Sequence, residues 1–199
     1  MGEGDLIEAA VAEAPLAGET ESGDLPLVAP HAGGVLVAAI DGLGHGGEAA
    51  QASRVARSIL EEDPGANLSD LFVSAHTALA RSRGVVMSVA SFDHRGSLTW
   101  LGVGNVEGTL LRADEGTLRR ADSILVLGGV VGYQLPDLRP STRPVEPGDL
   151  LILATDGIAP GYVEGLDPAG GLKAIADRIL AQYGRGVDDA LVLIARYLG

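Results

Sequence analysis

The stretch Val35–Gly47, V-L-V-A-A-I-D-G-L-G-H-G-G, constrains this chain more than any other. An unbroken apolar run with β-branched residues reads as a strand buried on both faces, and this one delivers a single carboxylate, Asp41, into a glycine-rich turn. An ionised aspartate at the end of a buried strand costs several kcal/mol unless it is paired or bound to a cation. No lysine or arginine lies between Met1 and Arg54 to pair with it. A metal ion is therefore the first expectation, and glycines let backbone carbonyls approach such an ion closely. Gly42, Gly44 and Gly47 also satisfy G-x-G-x-x-G, after a strand and before a helix, as a dinucleotide-binding turn would. That unit needs a second parallel strand after the helix, with an acid about 20 residues on. Glu61 and Glu62 stand at that distance, but they close the helix and a second helix follows, so a dinucleotide-binding oxidoreductase is the weaker reading.

Composition narrows the function classes. A chain of 199 residues is long enough to bury a substantial core and is most simply one domain, 1–199. The net charge of −13 argues against nucleic acid, whose phosphates would be repelled. There is no cysteine, which excludes disulfides, thiolate metal sites and cysteine nucleophiles. No apolar run reaches 18 residues, so no membrane span is expected. The acidic start, M-G-E-G-D-L, lacks the basic region of a secretory signal, which makes the cytoplasm the default compartment.

In chain order, Leu6–Ala14 alternates weakly and suits a strand or a short helix. Pro15–Gly23 turns the chain, and Leu25–Val28 reads as an edge or interrupted strand because of Pro26. Glu48–Glu62 has helical spacing, ended by Pro64-Gly65. Ser69 is placed to cap a second helix reaching about Arg83, with His76 packed or at the rim of its apolar face. From Val85 the period becomes two, giving strands at Val85–Phe92, Ser97–Val103, Val106–Arg112 and Ile124–Leu127, with turns between. Pro136–Pro147 is expected to be an irregular connection. Asp149–Thr155 repeats the opening theme, an apolar strand ending in Asp156-Gly157. Leu172–Tyr183 reads as an amphipathic helix, and Asp188-Asp189 opens a last strand, Ala190–Tyr197. This order is α+β with mainly antiparallel sheet.

Four acidic points, Asp24, Asp41, Asp156 and Asp188/Asp189, thus stand at ends of expected strands, where packed sheets bring distant residues to one edge. Each alone reads as a turn-forming aspartate. Together, as an all-oxygen set without cysteine or paired histidine, they favour Mg²⁺ or Mn²⁺ over Zn²⁺. D-G-L-G-H-G at Asp41–Gly46, A-T-D-G-I at Ala154–Ile158 and D-D-A-L-V-L-I-A at Asp188–Ala195 resemble the signatures of the type 2C metal-dependent serine/threonine phosphatases, SpoIIE-type branch. S-G-D at Ser22–Asp24 resembles that branch's first acidic motif. Gly102–Gly108 and Gly128–Pro136 are similar to stretches of its stressosome phosphatases.

The resemblance covers nearly the whole chain in order. It implies a four-layer α-β-β-α sandwich, two mainly antiparallel sheets flanked by helices. It also implies two Mn²⁺ or Mg²⁺ ions, with Asp41 bridging them and the Gly42 carbonyl on one. Asp24 would stand on the side of the second ion, and Asp156 and Asp188 on the other, with Asp189 just behind. The chemistry implied is attack on phosphorus by metal-activated water, without a phosphoenzyme. Phosphorylated STAS-domain proteins of a bacterial stressosome are the implied substrates. There are departures. The position two after Asp41, a histidine and proposed general acid in many relatives, is Leu43. His45, two residues further, is the alternative acid, or else packs at the start of the following helix. No arginine precedes Asp41 to grip the phosphate, and Pro136–Pro147 leaves little room for the flap of larger relatives. Recognition is then expected to rest on partner surfaces.

Overall fold

The computed structural model describes residues 5–114, 117–164, 166 and 171–199. Strand β3 (Gly34–Gly42) is the chain's organising element, as its unbroken apolar run requires, and all its residues but Asp41 are buried. It pairs antiparallel with β2 (Asp24–His31) on one side and β4 (Val85–Asp93) on the other. β5 (Ser97–Val103) follows β4, and short β8 (Val126–Leu127) and β9 (Ser141–Pro144) pair with β5. The second sheet runs β1 (Ile7–Ala14), β11 (Ala190–Tyr197), β10 (Leu150–Ala154), β6 (Glu107–Asp114), β7 (Thr117–Ser123). Pro26 sits on β2, an edge strand, where its missing N–H leaves no gap in a ladder.

Three apolar layers show how these elements stack. Val35, Val37 and Ala39 of β3 meet Leu151 and Leu153 of β10 and Leu191 and Leu193 of β11 between the two sheets. The alternate residues Leu36, Ala38 and Ile40 turn to helices α1 (Gly47–Glu62) and α2 (Leu68–Ala78). On the far side, Ile152, Val192 and Ile194 pack against Leu172, Ile175 and Ile179 of α3 (Gly171–Tyr183). The result is the four-layer α-β-β-α sandwich, in which the central strands β3, β10 and β11 bury both faces by their period of two. Each fully buried Leu, Ile or Val stabilises by roughly 1.5–3 kcal/mol, the reserve against which a costly polar edge can be held. Among the described residues no helix is long and apolar enough to cross a membrane.

Several expectations change. β3 has antiparallel neighbours on both sides, and α1 leads into α2 and then antiparallel β4, so there is no βαβ unit and no dinucleotide-binding turn. The first segment is a strand. Helix α2 is capped by Asn67, whose Oδ1 accepts from Ser69 N at 2.9 Å, and it ends at Ala78, short of Arg83. His76 is half-buried and accepts from Gly132 N at 2.9 Å, a rim histidine. The strand expected at Ile124–Leu127 keeps only Val126–Leu127, as β8, and a strand not expected, β7, precedes it. Pro136–Pro147 is irregular apart from β9.

Candidate metal centre

Register brings the first two acids together. Asp24 opens β2 and Asp41 ends β3, and the two are direct cross-strand partners. On β3 Asp41 shares the face of Val35, Val37 and Ala39, so both carboxylates turn to the open end of the space between the sheets. The other sheet ends at the same edge. Thr155, one residue beyond β10, donates from Oγ1 to Asp24 Oδ2 at 2.6 Å, and its Oγ1 accepts from Leu191 N at 2.9 Å. Asp189, just before β11, is 3% exposed and accepts from Leu16 N and Gly23 N, both at 2.7 Å, with its two oxygens. Asp188 is exposed, and its Oδ1 accepts from Asp189 N at 2.9 Å. Asp156 follows Thr155, and Asn105 Nδ2 donates to its Oδ2 at 2.7 Å.

Glycines allow this approach at two places. A Cβ on Gly42 would stand 2.2 Å from the Ala49 carbonyl, so only glycine lets α1 sit against the end of β3. A Cβ on Gly157 would stand 2.0 Å from the Asp189 carbonyl. Buried Ser53 of α1 adds a tie, donating to the Gly23 carbonyl at 2.5 Å, which also accepts from Gly42 N at 3.1 Å.

The electrostatics follow from like charges on a dry edge. Burial first, then Asp24, Asp156, Asp188 and Asp189, push the Asp41 carboxyl up to about 8. Asp24 is pushed up to about 7, first by burial; the Thr155 hydrogen bond opposes this, and Asp189, Asp188 and Asp156 add to it. At Asp156 partial burial and Asp188 raise the carboxyl, against Arg185 and Asn105, which lower it. Buried carboxylates that repel one another need a cation, and no arginine or lysine figures among the main influences on Asp24 or Asp41. Among the described residues no three acidic or histidine side chains close into a ready-made cage; the acids form an open array along the edge. All-oxygen donors of this kind fit a hard divalent cation such as Mg²⁺ or Mn²⁺.

Leu43 packs against the inter-sheet core. His45 is exposed and does not pack at the helix start; its Nδ1 lies 2.7 Å from Glu19 Oε1. The glycine turn holds positive φ at Gly44 and Gly46, which lifts His45 away from the core. Thr155 and Asn105 are site residues that sequence reasoning missed. Thr155 had a signal, because period-two alternation puts it on the face of Leu151 and Leu153. Asn105 had none beyond a turn.

Fold and acid array define the class: the protein has the type 2C metal-dependent phosphatase fold. The family model for Stage II sporulation protein E (SpoIIE) matches residues 31–198, and the chain belongs to that family, the SpoIIE-type branch of the class. It is homologous to type 2C serine/threonine phosphatases, a class of metal-dependent hydrolases. One solved structure, from work on the bacterial stressosome as a modular system adapted to control secondary messenger signalling, is 30% identical with a TM-score of 0.87. That match covers 96% of this chain and 99% of the other. RsbX in complex with magnesium is 20% identical, TM-score 0.83, with 98% of each chain covered. The catalytic domain of the serine/threonine phosphatase PstP with two manganese ions is 20% identical, TM-score 0.73, covering 97% of this chain and 99% of that one. No match was found among curated protein sequences.

Proposed function

We infer that this protein is a Mn²⁺- or Mg²⁺-dependent phosphatase of phosphoserine and phosphothreonine in proteins. The observation that carries the reading is the cross-strand pair of buried Asp24 and half-buried Asp41, with no neutralising side chain among the described residues and faced by Asp156 and Asp188 from the other sheet. Two divalent cations bound here would activate a water for in-line attack and neutralise charge on the phosphoryl group. From β3, Asp41 would hold both ions and the Gly42 carbonyl one of them, with Asp24 on one side and Asp156 and Asp188 on the other. Each of these groups is kept in place by a neighbour. Thr155 fixes one oxygen of Asp24 and leaves the other free. Asn105 occupies one oxygen of Asp156 and thereby orients the second. Asp189, with both oxygens on backbone amides, joins the Leu16–Gly23 turn to β11; among the described residues only one oxygen of Asp188 is engaged, which supports Asp188 as the pair's direct ligand.

His45 is near enough in sequence to serve as a general acid, held by Glu19 at the rim. Substrates are phosphorylated STAS-domain proteins of a stressosome, a proposal supported by the RsbX and stressosome likenesses. A second reading, a phosphoprotein-binding domain without turnover, draws on the openness of the acid array. Phosphate release from a phosphoserine protein with Mn²⁺, with and without excess chelator, separates the two. Chelator-sensitive release supports the enzyme; binding without release supports the silent domain.

A further inference from the structure

A groove of about 440 Å³ opens beside the glycine turn, between the first half of α1 and the loop from α2 to β4. Glu48, Gln51 and Val55 form one wall, and Arg81, Ser82 and Arg83 the other. The groove adjoins the acid edge directly. A Cβ on Gly44 would lie 2.6 Å from Arg83 Nη1, and Leu43 N donates to the Gly84 carbonyl at 3.2 Å. Arg83 Nη2 pairs with Glu48 at 2.5 Å, but both side chains are more than half exposed. Such a pair is worth about 1 kcal/mol or less, so an incoming carboxylate can take Glu48's place. Arg81 is exposed and has no carboxylate partner among the described residues. On a chain of net charge −13, a groove with two guanidinium groups against one carboxylate is a local reversal of sign.

The geometry points to this groove as the docking site of an extended acidic segment next to the phosphorylated residue of the substrate protein. The planar guanidinium groups of Arg81 and Arg83 match carboxylates in bidentate geometry. Half-buried Val55 gives the segment an apolar contact. The like-signed rest of the molecule repels an acidic chain elsewhere, which favours this one groove. The identity of the neighbouring site rests on the phosphatase reading; the binding of acidic peptide does not.

The test is fluorescence anisotropy with an unphosphorylated, labelled glutamate-rich peptide and its glutamine counterpart, in low salt. The wild-type protein should bind the acidic peptide at least about 10-fold tighter, and R81E/R83E should lose that preference. The milder R81A/R83A should weaken it, and higher salt should erase it. Equal binding of the two peptides, or an undiminished preference in R81E/R83E, overturns the proposal. Mn²⁺-dependent hydrolysis of p-nitrophenyl phosphate, measured separately, reports on the phosphatase reading alone, so the two failures stay distinct.

Discussion

The two ends of the sandwich handle a buried aspartate in opposite ways. Asp149, 2% exposed where β10 begins, is fully partnered: Arg112 pairs with it, and Glu146 N and Ala113 N donate at 2.9 and 3.1 Å. At the other end, where β10 has finished, Asp24 and Asp41 face each other with a single hydroxyl, Thr155, on Asp24. Asp24 is as buried as Asp149 and Asp41 is half-buried, yet among the described residues only the first end is neutralised by the chain itself. A carboxylate with its cation built in is a structural joint, whereas a group of carboxylates without one is a receptor for a cation from outside.

The largest expected effect divides the ends by kind of loss. Asp149→Ala should destabilise by roughly 2–4 kcal/mol, since it strips Arg112 and two backbone amides of their acceptor. Its activity at low temperature should survive. Asp41→Asn should do the reverse: phosphate release falls at least about 1,000-fold, about 4 kcal/mol of barrier, while the metal-free protein melts no lower than wild type. Thermal melts beside kcat/KM decide; a loss of folding in Asp41→Asn would erase the contrast.

Next comes pH. Asp24 and Asp41, raised to about 7 and about 8 from 3.8, hold protons in the fold where the unfolded chain has released them. Their contribution is fully favourable below about pH 4 and is lost as pH rises through 7 and 8. Metal-free protein should therefore lose stability between pH 5 and 8.5, on the order of several kcal/mol, read as a falling melting temperature. Excess Mn²⁺ should flatten that slope. A metal-free melting temperature that climbs over this range would contradict the buried-pair picture.

A smaller effect separates neighbours in the Asp188-Asp189 pair. Asp188→Asn should raise the Mn²⁺ concentration for half activity with little change in melting. Asp189→Asn should mainly destabilise the fold, by about 1–3 kcal/mol read as a lower melting temperature, because Leu16 N and Gly23 N lose a charged acceptor. Smallest is Asn105→Ala, which frees one oxygen of Asp156 and should weaken Mn²⁺ affinity about 10-fold. Unchanged affinity would leave Asn105 as a turn residue only.

Much of this was legible in the sequence, for identifiable reasons. β3 was readable because a strand buried on both faces has to be apolar throughout, and the acids were readable because each marks a strand end. β7 was not, since T-L-R-R-A-D-S carries one leucine and is held by backbone pairing with β6. β9 hid between prolines for a related cause, being four residues that add to the edge of β5. The meeting of Asp24 with Thr155, or Asn105 with Asp156, depends on how two sheets stack, which no local pattern encodes. The sequence also lacked an arginine ahead of Asp41, yet the fold brings Arg83 over Gly44 from 39 residues further along the chain.

The metal-dependent reading stands or falls on whether the Asp24–Asp41 end receives a cation. Calorimetric titration of Mn²⁺ into metal-free protein near pH 7, in two buffers of different ionisation enthalpy, tests it most directly. Saturable binding with net proton release is expected, as carboxyls held protonated give way to the ion, and both should be lost in Asp41→Asn. No saturable binding, or binding that Asp41→Asn leaves intact, would contradict it.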